Sequence, residues 1–389
     1  MNISGQTICL SMIVKNEAHV IRRCLDSVRP IIDHWVIVDT GSTDGTQDVI
    51  RSAMADLPGR LIERPWVDFA HNRSEALALA RPHSSYTLII DADDELIIPA
   101  GFTMPKLDVP GYVFTISDRH TEYTRIQLVS NTLTWCYRGV LHEFIDSRDK
   151  YWTKPMPLVM RRGEDGARHR DESTYRQDAG ILEKALTTER DPFLIARYTF
   201  YLAQSYRDCG ELRKAIENYS RRSELGNWRE EVYISLLSAA QLKGFLGDPE
   251  DEVRAIFDRA IPVCPERAEA RHGASVFFRQ RGQHAEAFLY AQEALHLTAP
   301  NEALFLQNWI YLYGLRDEYA VAAFNTGQYR ACFSTCLDIL GQADIPPDVR
   351  TRIAGLARQA LAKMVDPAWG CRQSPYSAEF WPCWEFSAA

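Results

Sequence analysis

Up to about Arg162 the chain alternates short apolar runs with stretches of helical spacing. Residues 7–14 read as a strand, and over residues 17–28 Val20, Ile21, Cys24, Leu25 and Val28 fall on one helical face. Residues 35–38 form the next strand, closed by the polar loop Asp39-Thr40-Gly41-Ser42-Thr43-Asp44-Gly45. A helix over 46–54, an extended run over 60–63, a helix over 72–80 and a strand over 86–90 follow. Strands that are apolar throughout and alternate with helices predict a mostly parallel sheet covered on both faces. From Tyr112 to Met160 extended segments dominate (112–116, 125–129, 137–141 and 157–160), which predicts a mixed extension of that sheet. Sites in such sheets gather at the carboxyl ends of the strands.

After about Asp171 strands give way to helical patterns. Leu202, Ala203, Tyr206, Gly210, Ala215 and Tyr219 follow the order of small and aromatic residues used by tetratricopeptide (TPR) repeats, where small residues let helices cross closely. Ser275, Phe278, Gly282, Ala287, Ala291 and Ala294 repeat the offsets. Gly210, Gly247 and Gly282 lie 37 and 35 residues apart, against a repeat of about 34; 319–340, with Gly327 and Tyr329, reads as a further, degenerate pair. The expected organisation is an α/β sheet domain over 1–165, a linking helix over 166–196, TPR-like repeats over 197–365, and an irregular aromatic and proline-rich tail over 366–389 that docks on the protein.

Composition narrows the class. A chain of 389 residues predicts two domains, and 46% apolar with 25% charged residues reads as soluble and globular. The net charge of −8 argues against a nucleic-acid partner, because counterion release needs a basic surface. No basic segment precedes a long apolar core at the N-terminus, so no signal peptide is expected. No apolar stretch approaches the ~18 residues of a transmembrane segment. Nine cysteines without a Cys-x-x-Cys imply neither a disulfide framework nor a zinc site; Cys332 and Cys336 read as core thiols, and a reducing cytoplasm fits.

Candidate chemistry lies at strand ends. Asp91-Ala92-Asp93-Asp94-Glu95 places four acidic groups directly after an aliphatic strand, where they repel unless a cation sits among them. Oxygen ligands suit Mn2+ or Mg2+, which bind one or two carboxylates together with substrate phosphates; an acidic turn capping the next helix would carry the same residues. Asp39 closes its own buried strand and can accept from a nucleobase or ribose, while Ser42 or Thr43 can cap the following helix. Glu17 lies at a helix start, which the helix dipole favours in any case. Arg73, in Asp68-Phe69-Ala70-His71-Asn72-Arg73, can pair with a diphosphate. His142-Glu143 ends an extended run, and Asp146 stands where a helical zinc site would need its second histidine, excluding that class. Trp135 and Tyr137 offer either a sugar-stacking wall or core.

In order, Ile13-Val14-Lys15-Asn16-Glu17, Val36-Ile37-Val38-Asp39 through Thr46, Asp91-Ala92-Asp93 and Gly139-Val140-Leu141-His142-Glu143 resemble the family 2 glycosyltransferases of GT-A fold, over about residues 6–165. Phe69, Arg73, Ala76 and Leu77 are similar to the branch holding lipopolysaccharide-core glucosyltransferases and peptide S-glycosyltransferases, some of which carry TPR-like regions. The resemblance implies an inverting transfer from a nucleoside-diphosphate sugar, commonly UDP-linked, to a glycan, peptide or protein acceptor that the repeats could present. It implies that Asp39 contacts the nucleobase, Glu17 the nucleoside, and Asp91 the ribose and metal-bound water. Asp93 would then bind the metal, with His142 a further metal or phosphate contact. An acceptor proton needs a base: Glu143 is the first candidate and Asp94 the second. A TPR scaffold carrying an inactive or nucleotide-sensing sheet module is the alternative, which the retained Asp39, Asp91 and Asp93 oppose. A nucleotidyltransferase would carry a glycine-rich phosphate loop where this chain has Val14-Lys15-Asn16-Glu17.

Overall fold

The apolar runs of the first half form one sheet. The chain's structure, a computed structural model, describes residues 5–118, 121–163, 165, 173–301 and 303–364; the expected tail at 366–389 lies outside them. The order β1 (Ile8–Val14), α1 (Ile21–Val28), β2 (His34–Asp39), α2 (Thr46–Ala53), β3 (Gly59–Glu63), α3 (Phe69–Ala80), β4 (Tyr86–Ile89) sets β3, β2, β1 and β4 side by side, all parallel. Alternation buries both faces. Ile8, Leu10, Met12 and Val14 join Ile21, Cys24, Leu25 and Val28 of α1 and Ile50 of α2, while Cys9 and Val36 meet Ala80 of α3.

Helix α1 starts at Ile21, later than the apolar spacing predicts. The backbone N–H groups of Asn16, Glu17 and Ala18 are taken by Ser42 Oγ, Thr46 Oγ1 and Asp44 Oδ2, and Asn16 sits at φ +59°. These bonds stitch the loops after β1 and β2 together and leave no helical backbone before residue 18.

The extension comprises β5 (Glu95–Ile97), β6 (Gly111–Asp118), β7 (Thr121–Ser130), β8 (Trp135–Arg138), β9 (Phe144–Ser147) and β10 (Thr153–Arg161). The sheet runs β3-β2-β1-β4-β7-β6-β10-β5, with β7 antiparallel to both neighbours and β5 antiparallel to β10, so it is mixed as expected. Strands β8 and β9 form a separate antiparallel ribbon. The extended run expected over 137–141 stops at Arg138, because Gly139 (φ +104°) and His142 (φ +50°) turn the chain back into β9.

Two helices follow, α4 (Thr174–Thr188) and α5 (Pro192–Asp208), and the chain divides into two compact units, Met1–Glu211 and Leu212–Ala389. The residue at which repeats were expected to begin, 197, falls inside α5, which belongs to the first unit.

The second unit is helical among its described residues: α6 (Leu212–Glu224), α7 (Arg229–Leu246), α8 (Glu250–Ala260), α9 (Glu269–Gln280), α10 (His284–Ala294), α11 (Leu315–Asn325), α12 (Tyr329–Leu340) and α13 (Pro347–Met364). Gly247, Gly282 and Gly327 follow α7, α9 and α11 at φ +77°, +76° and +78°, the left-handed residue that closes a helix. Ala215, Tyr219, Ser275, Phe278, Ala287, Ala291 and Ala294, named for repeat spacing, are all buried. Cys332 and Cys336 are buried free thiols. No described helix is long and apolar enough to cross a membrane.

Candidate active site

Strand β4 is buried along its length and delivers the chain to Asp91 at its carboxyl end. There the Asp94 N–H bonds to the Asp91 carbonyl at 3.2 Å, closing a tight turn over residues 91–94. Helix α1 grips this turn: Cys24 Sγ donates to the Asp91 carbonyl at 3.2 Å, and Arg23 Nη2 donates to the Asp93 carbonyl at 2.8 Å. From the other side the Gly163 N–H donates to Asp94 Oδ1 at 3.1 Å.

The turn concentrates carboxylates of unequal character. Asp94 is 2% exposed, and its Oδ2 has no hydrogen-bond partner among the described residues, the Arg125 guanidinium standing 3.9 Å away. Burial first, then the charges of Asp91 and Asp93, pushes its carboxyl up to about 7. Burial opposes ionisation of Asp91 too, but Arg73, Arg125 and Arg162 outweigh it and hold that carboxyl below its ordinary range.

Arg73 is the hub. Asp68 caps α3 by accepting from the His71 N–H at 2.7 Å, and Arg73 projects one turn further on. Its Nη2 lies 2.5 Å from Asp91 Oδ1 and its Nε 2.6 Å from Glu143 Oε1. The guanidinium carbon stands 5.5 Å from the centre of the Tyr137 ring. Residues 73, 91 and 143, far apart in sequence, thus meet through two ion pairs. Burial pushes the Tyr137 phenol up to about 12, so it stays protonated beside them.

Asp39 is buried at the end of β2; its Oδ1 accepts from the Gly41 and Ser42 N–H groups, both at 2.7 Å, and its buried Oδ2 has no partner among the described residues. An added N–H donor there would satisfy it. Glu17 lies just before α1, tied through its N–H to Thr46 Oγ1. Neither Ser42 nor Thr43 caps α2; Gly45 occupies that position at φ +90°. The metal set expected from sequence, Asp91, Asp93 and His142, is not drawn together: the group of such ligand atoms within 4.8 Å of one another among the described residues is Glu230, Cys264 and Glu266. The His142 ring instead stacks on Tyr201, with centroids 3.7 Å apart. Trp135 is core, not a sugar wall, since it is buried and its Nε1 donates to the Ser130 carbonyl at 2.9 Å.

Sequence reasoning passed over Arg23, Arg125 and Gly163. An arginine between the apolar positions of β7 was the available signal for Arg125; nothing local marks the other two.

A family profile described as Glycosyl transferase family 2 matches residues 9–98. An uncharacterized glycosyltransferase of Rickettsia felis is 35% identical over 235 residues, which span 57% of this chain and 77% of that relative. The chain belongs to glycosyltransferase family 2. Its similarity to a TPR repeat-containing protein of Synechococcus elongatus, 28% over 314 residues, covers 74% of this chain and 75% of that one. The SPbeta prophage-derived glycosyltransferase SunS of Bacillus subtilis is 33% identical over 88 residues, 23% of this chain and 20% of its own length. This family 2 member therefore joins a GT-A-like mixed sheet to a TPR-like helical region, as the motifs implied.

Proposed function

We propose that this family 2 glycosyltransferase moves a sugar from a nucleoside-diphosphate donor, UDP-linked, to a hydroxyl or thiol acceptor, inverting the anomeric carbon. The observation that carries the reading is the turn at the end of β4. There Asp91, Asp93 and a buried, partly unsatisfied Asp94 follow one another in a single turn, the first two raising the pKa of the third, and Arg73 joins Asp91 to Glu143.

The carboxylate oxygens of this turn are donors of the kind that Mn2+ or Mg2+ takes. Such ions take one or two carboxylates and fill their shell with water and phosphate oxygens, and an orphaned buried carboxylate oxygen marks uncompensated negative charge. Asp93 and Asp91 would hold the ion, which when bound would stabilise charge growing on the departing diphosphate. Asp39 would accept from the nucleobase and Glu17 would lie at the nucleoside. Arg73, already between two carboxylates, would orient them and face the diphosphate.

Glu143 is assigned as the base, with Asp94 second. Its side chain is 13% exposed against 3% for Asp94, and a base must reach the proton it takes. The acceptor oxygen or sulfur forms its bond to the anomeric carbon while the bond from that carbon to the phosphate oxygen breaks. The electron pair leaves with the nucleoside diphosphate and the acceptor proton passes to Glu143. Beside Tyr137 an open cleft lined by Asp68, His71, Ser74 and Glu75 offers an approach for the acceptor. The TPR-like helices are assigned to binding that glycan, peptide or protein acceptor. The cytoplasm is the proposed compartment, on the described cysteines, all of which are thiols.

UDP with Mn2+ at a hundredfold excess over its Kd is expected to stabilise the protein by about 3 kcal/mol, a melting-temperature rise of several degrees. Asp93→Ala is expected to abolish the rise. No rise with any nucleoside diphosphate would sink the reading.

A further inference from the structure

Between β8 and β9 the chain makes a five-residue excursion, Gly139 to Glu143, inside a ribbon whose last ladder pair is Arg138 with Phe144. Two of its residues adopt left-handed backbone: Gly139 at φ +104°, and His142 at φ +50°, where a side chain is disfavoured. Such strain persists only where surrounding contacts over-determine it. Here the contacts come from α5. Tyr198 Oη accepts the Val140 N–H at 3.1 Å. Arg197 donates to the His142 carbonyl twice, from Nε at 3.1 Å and from Nη2 at 2.6 Å. The His142 ring lies flat on Tyr201, 9° from parallel, and Arg197 is itself sandwiched against the Phe144 and Tyr201 rings at 5.1 and 5.0 Å. Asp191, which caps α5, also pairs with Arg138 at the start of the excursion.

We infer that α5 belongs to the catalytic apparatus: Arg197, Tyr198 and Tyr201 are positioning residues that hold the Gly139–Glu143 loop so that Glu143 faces Arg73. The atoms that α5 holds are backbone atoms of the loop. Ordinary docking of a helix would be served by apolar packing alone. The α5 side chains instead fix the backbone N–H and C=O groups on either side of Leu141, and the doubly held carbonyl belongs to the strained residue directly before Glu143. Relaxing φ at His142 would swing Glu143 off Arg73, and displacement of a reacting group by about 1 Å can cost 100-fold in rate. His142 is thereby a clamp residue, its ring stacked on Tyr201. The inference rests on the assignment of Glu143 as base.

The test uses the full-length chain with Mn2+ and UDP-glucose, UDP-galactose or UDP-N-acetylglucosamine, following hydrolysis with water as acceptor. For the donor turned over fastest, Arg197→Ala is expected to lower kcat 10- to 100-fold and Tyr198→Phe about tenfold. KM should stay within about twofold, because donor contacts are untouched. Arg197→Lys should restore part of the loss by keeping one donor to the carbonyl. A merely structural role is separated by the double variant: with Glu143→Gln already present, Arg197→Ala should cost nothing further, since both act through one group. The UDP-induced melting shift of Tyr198→Phe checks that the variant is folded. Unchanged kcat in the single variants, or full additivity in the double variant, overturns the clamp while leaving the glycosyltransferase reading intact. A wild type that neither gains stability with UDP nor hydrolyses a donor overturns that parent reading instead. Binding of UDP without any turnover removes Glu143 as base, and the clamp's role with it.

Discussion

At the scale of single residues, the most restrictive position near the site is a glycine. A Cβ on Gly163 would stand 2.1 Å from the Asp93 carbonyl oxygen, and backbone cannot rotate aside as a flexible side chain would. Gly163→Ala must therefore displace the 91–94 turn that presents Asp91 and Asp93. We expect it to weaken Mn2+–UDP binding at least tenfold, about 1.4 kcal/mol, by calorimetry, with a stability loss of about 1–3 kcal/mol. Gly59→Ala is the comparison: its Cβ would meet the Trp35 ring at 2.4 Å, a clash of similar severity on β3. It should cost stability without the affinity loss; equal affinity losses would show that Gly163 is only a packing position. The acidic run at 91–95 could be read in the sequence because an aliphatic strand ending in carboxylates is a local pattern. The partners that give each carboxylate its character could not. Arg73 and Glu143 are joined to Asp91 by the way β4, α3 and the loop after β8 converge, and residue spacing carries no record of that.

At the scale of elements, helix ends in the second unit are fixed by backbone conformation more than by side chains. Gly247 ends α7 at φ +77° with open space around its Cβ position, so an alanine there would meet no atom but would pay the left-handed penalty. Gly355 lies inside α13, also in open space, without that positive φ. Gly247→Ala should lose about 1 kcal/mol and Gly355→Ala should gain about 0.5–1 kcal/mol in urea melts. Losses at both positions would mean that crowding, not backbone conformation, governs them. The same logic explains what the sequence disclosed about elements. Strands β1, β2 and β4 are apolar on both faces and stand out; β5 and β9 are too short for any period to emerge. Helix α5 carries Leu202, Ala203 and Tyr206 at repeat spacing and so reads as a repeat helix. Arg197, Tyr198 and Tyr201 in the same helix serve the Gly139–Glu143 loop, a use that spacing cannot express.

For the whole molecule, a net charge of −8 sums every charged residue and is silent about which of them lie inside. The helical unit buries several. Arg267 is fully buried between Glu230 and Glu269, with contacts of 2.6 and 2.7 Å, and buried Arg222 pairs with Glu231 at 2.9 Å. Among these paired charges His272 is the exception, a buried imidazole set edge-on to Trp309 with ring centroids 5.0 Å apart. Burial, only partly offset by Asp317 and Glu269, lowers its pKa from 6.5 to about 4. The native state thus refuses a proton that the unfolded chain accepts below pH 6.5. Stability from this group is complete above that pH, falls as the pH drops toward 4, and is then spent, for a total of about 3 kcal/mol. Burial raises the Glu318 carboxyl above its ordinary value, toward the same range, so the wild-type profile alone does not isolate the histidine. His272→Phe keeps an aromatic edge against Trp309 and removes the titration. Between pH 7 and 4.5 the wild type should lose about 2–3 kcal/mol more than this variant in urea unfolding followed by circular dichroism. Parallel pH profiles for the two proteins would mean that His272 takes up its proton without leaving the core, and that the acid sensitivity of the helical unit resides in its carboxylates.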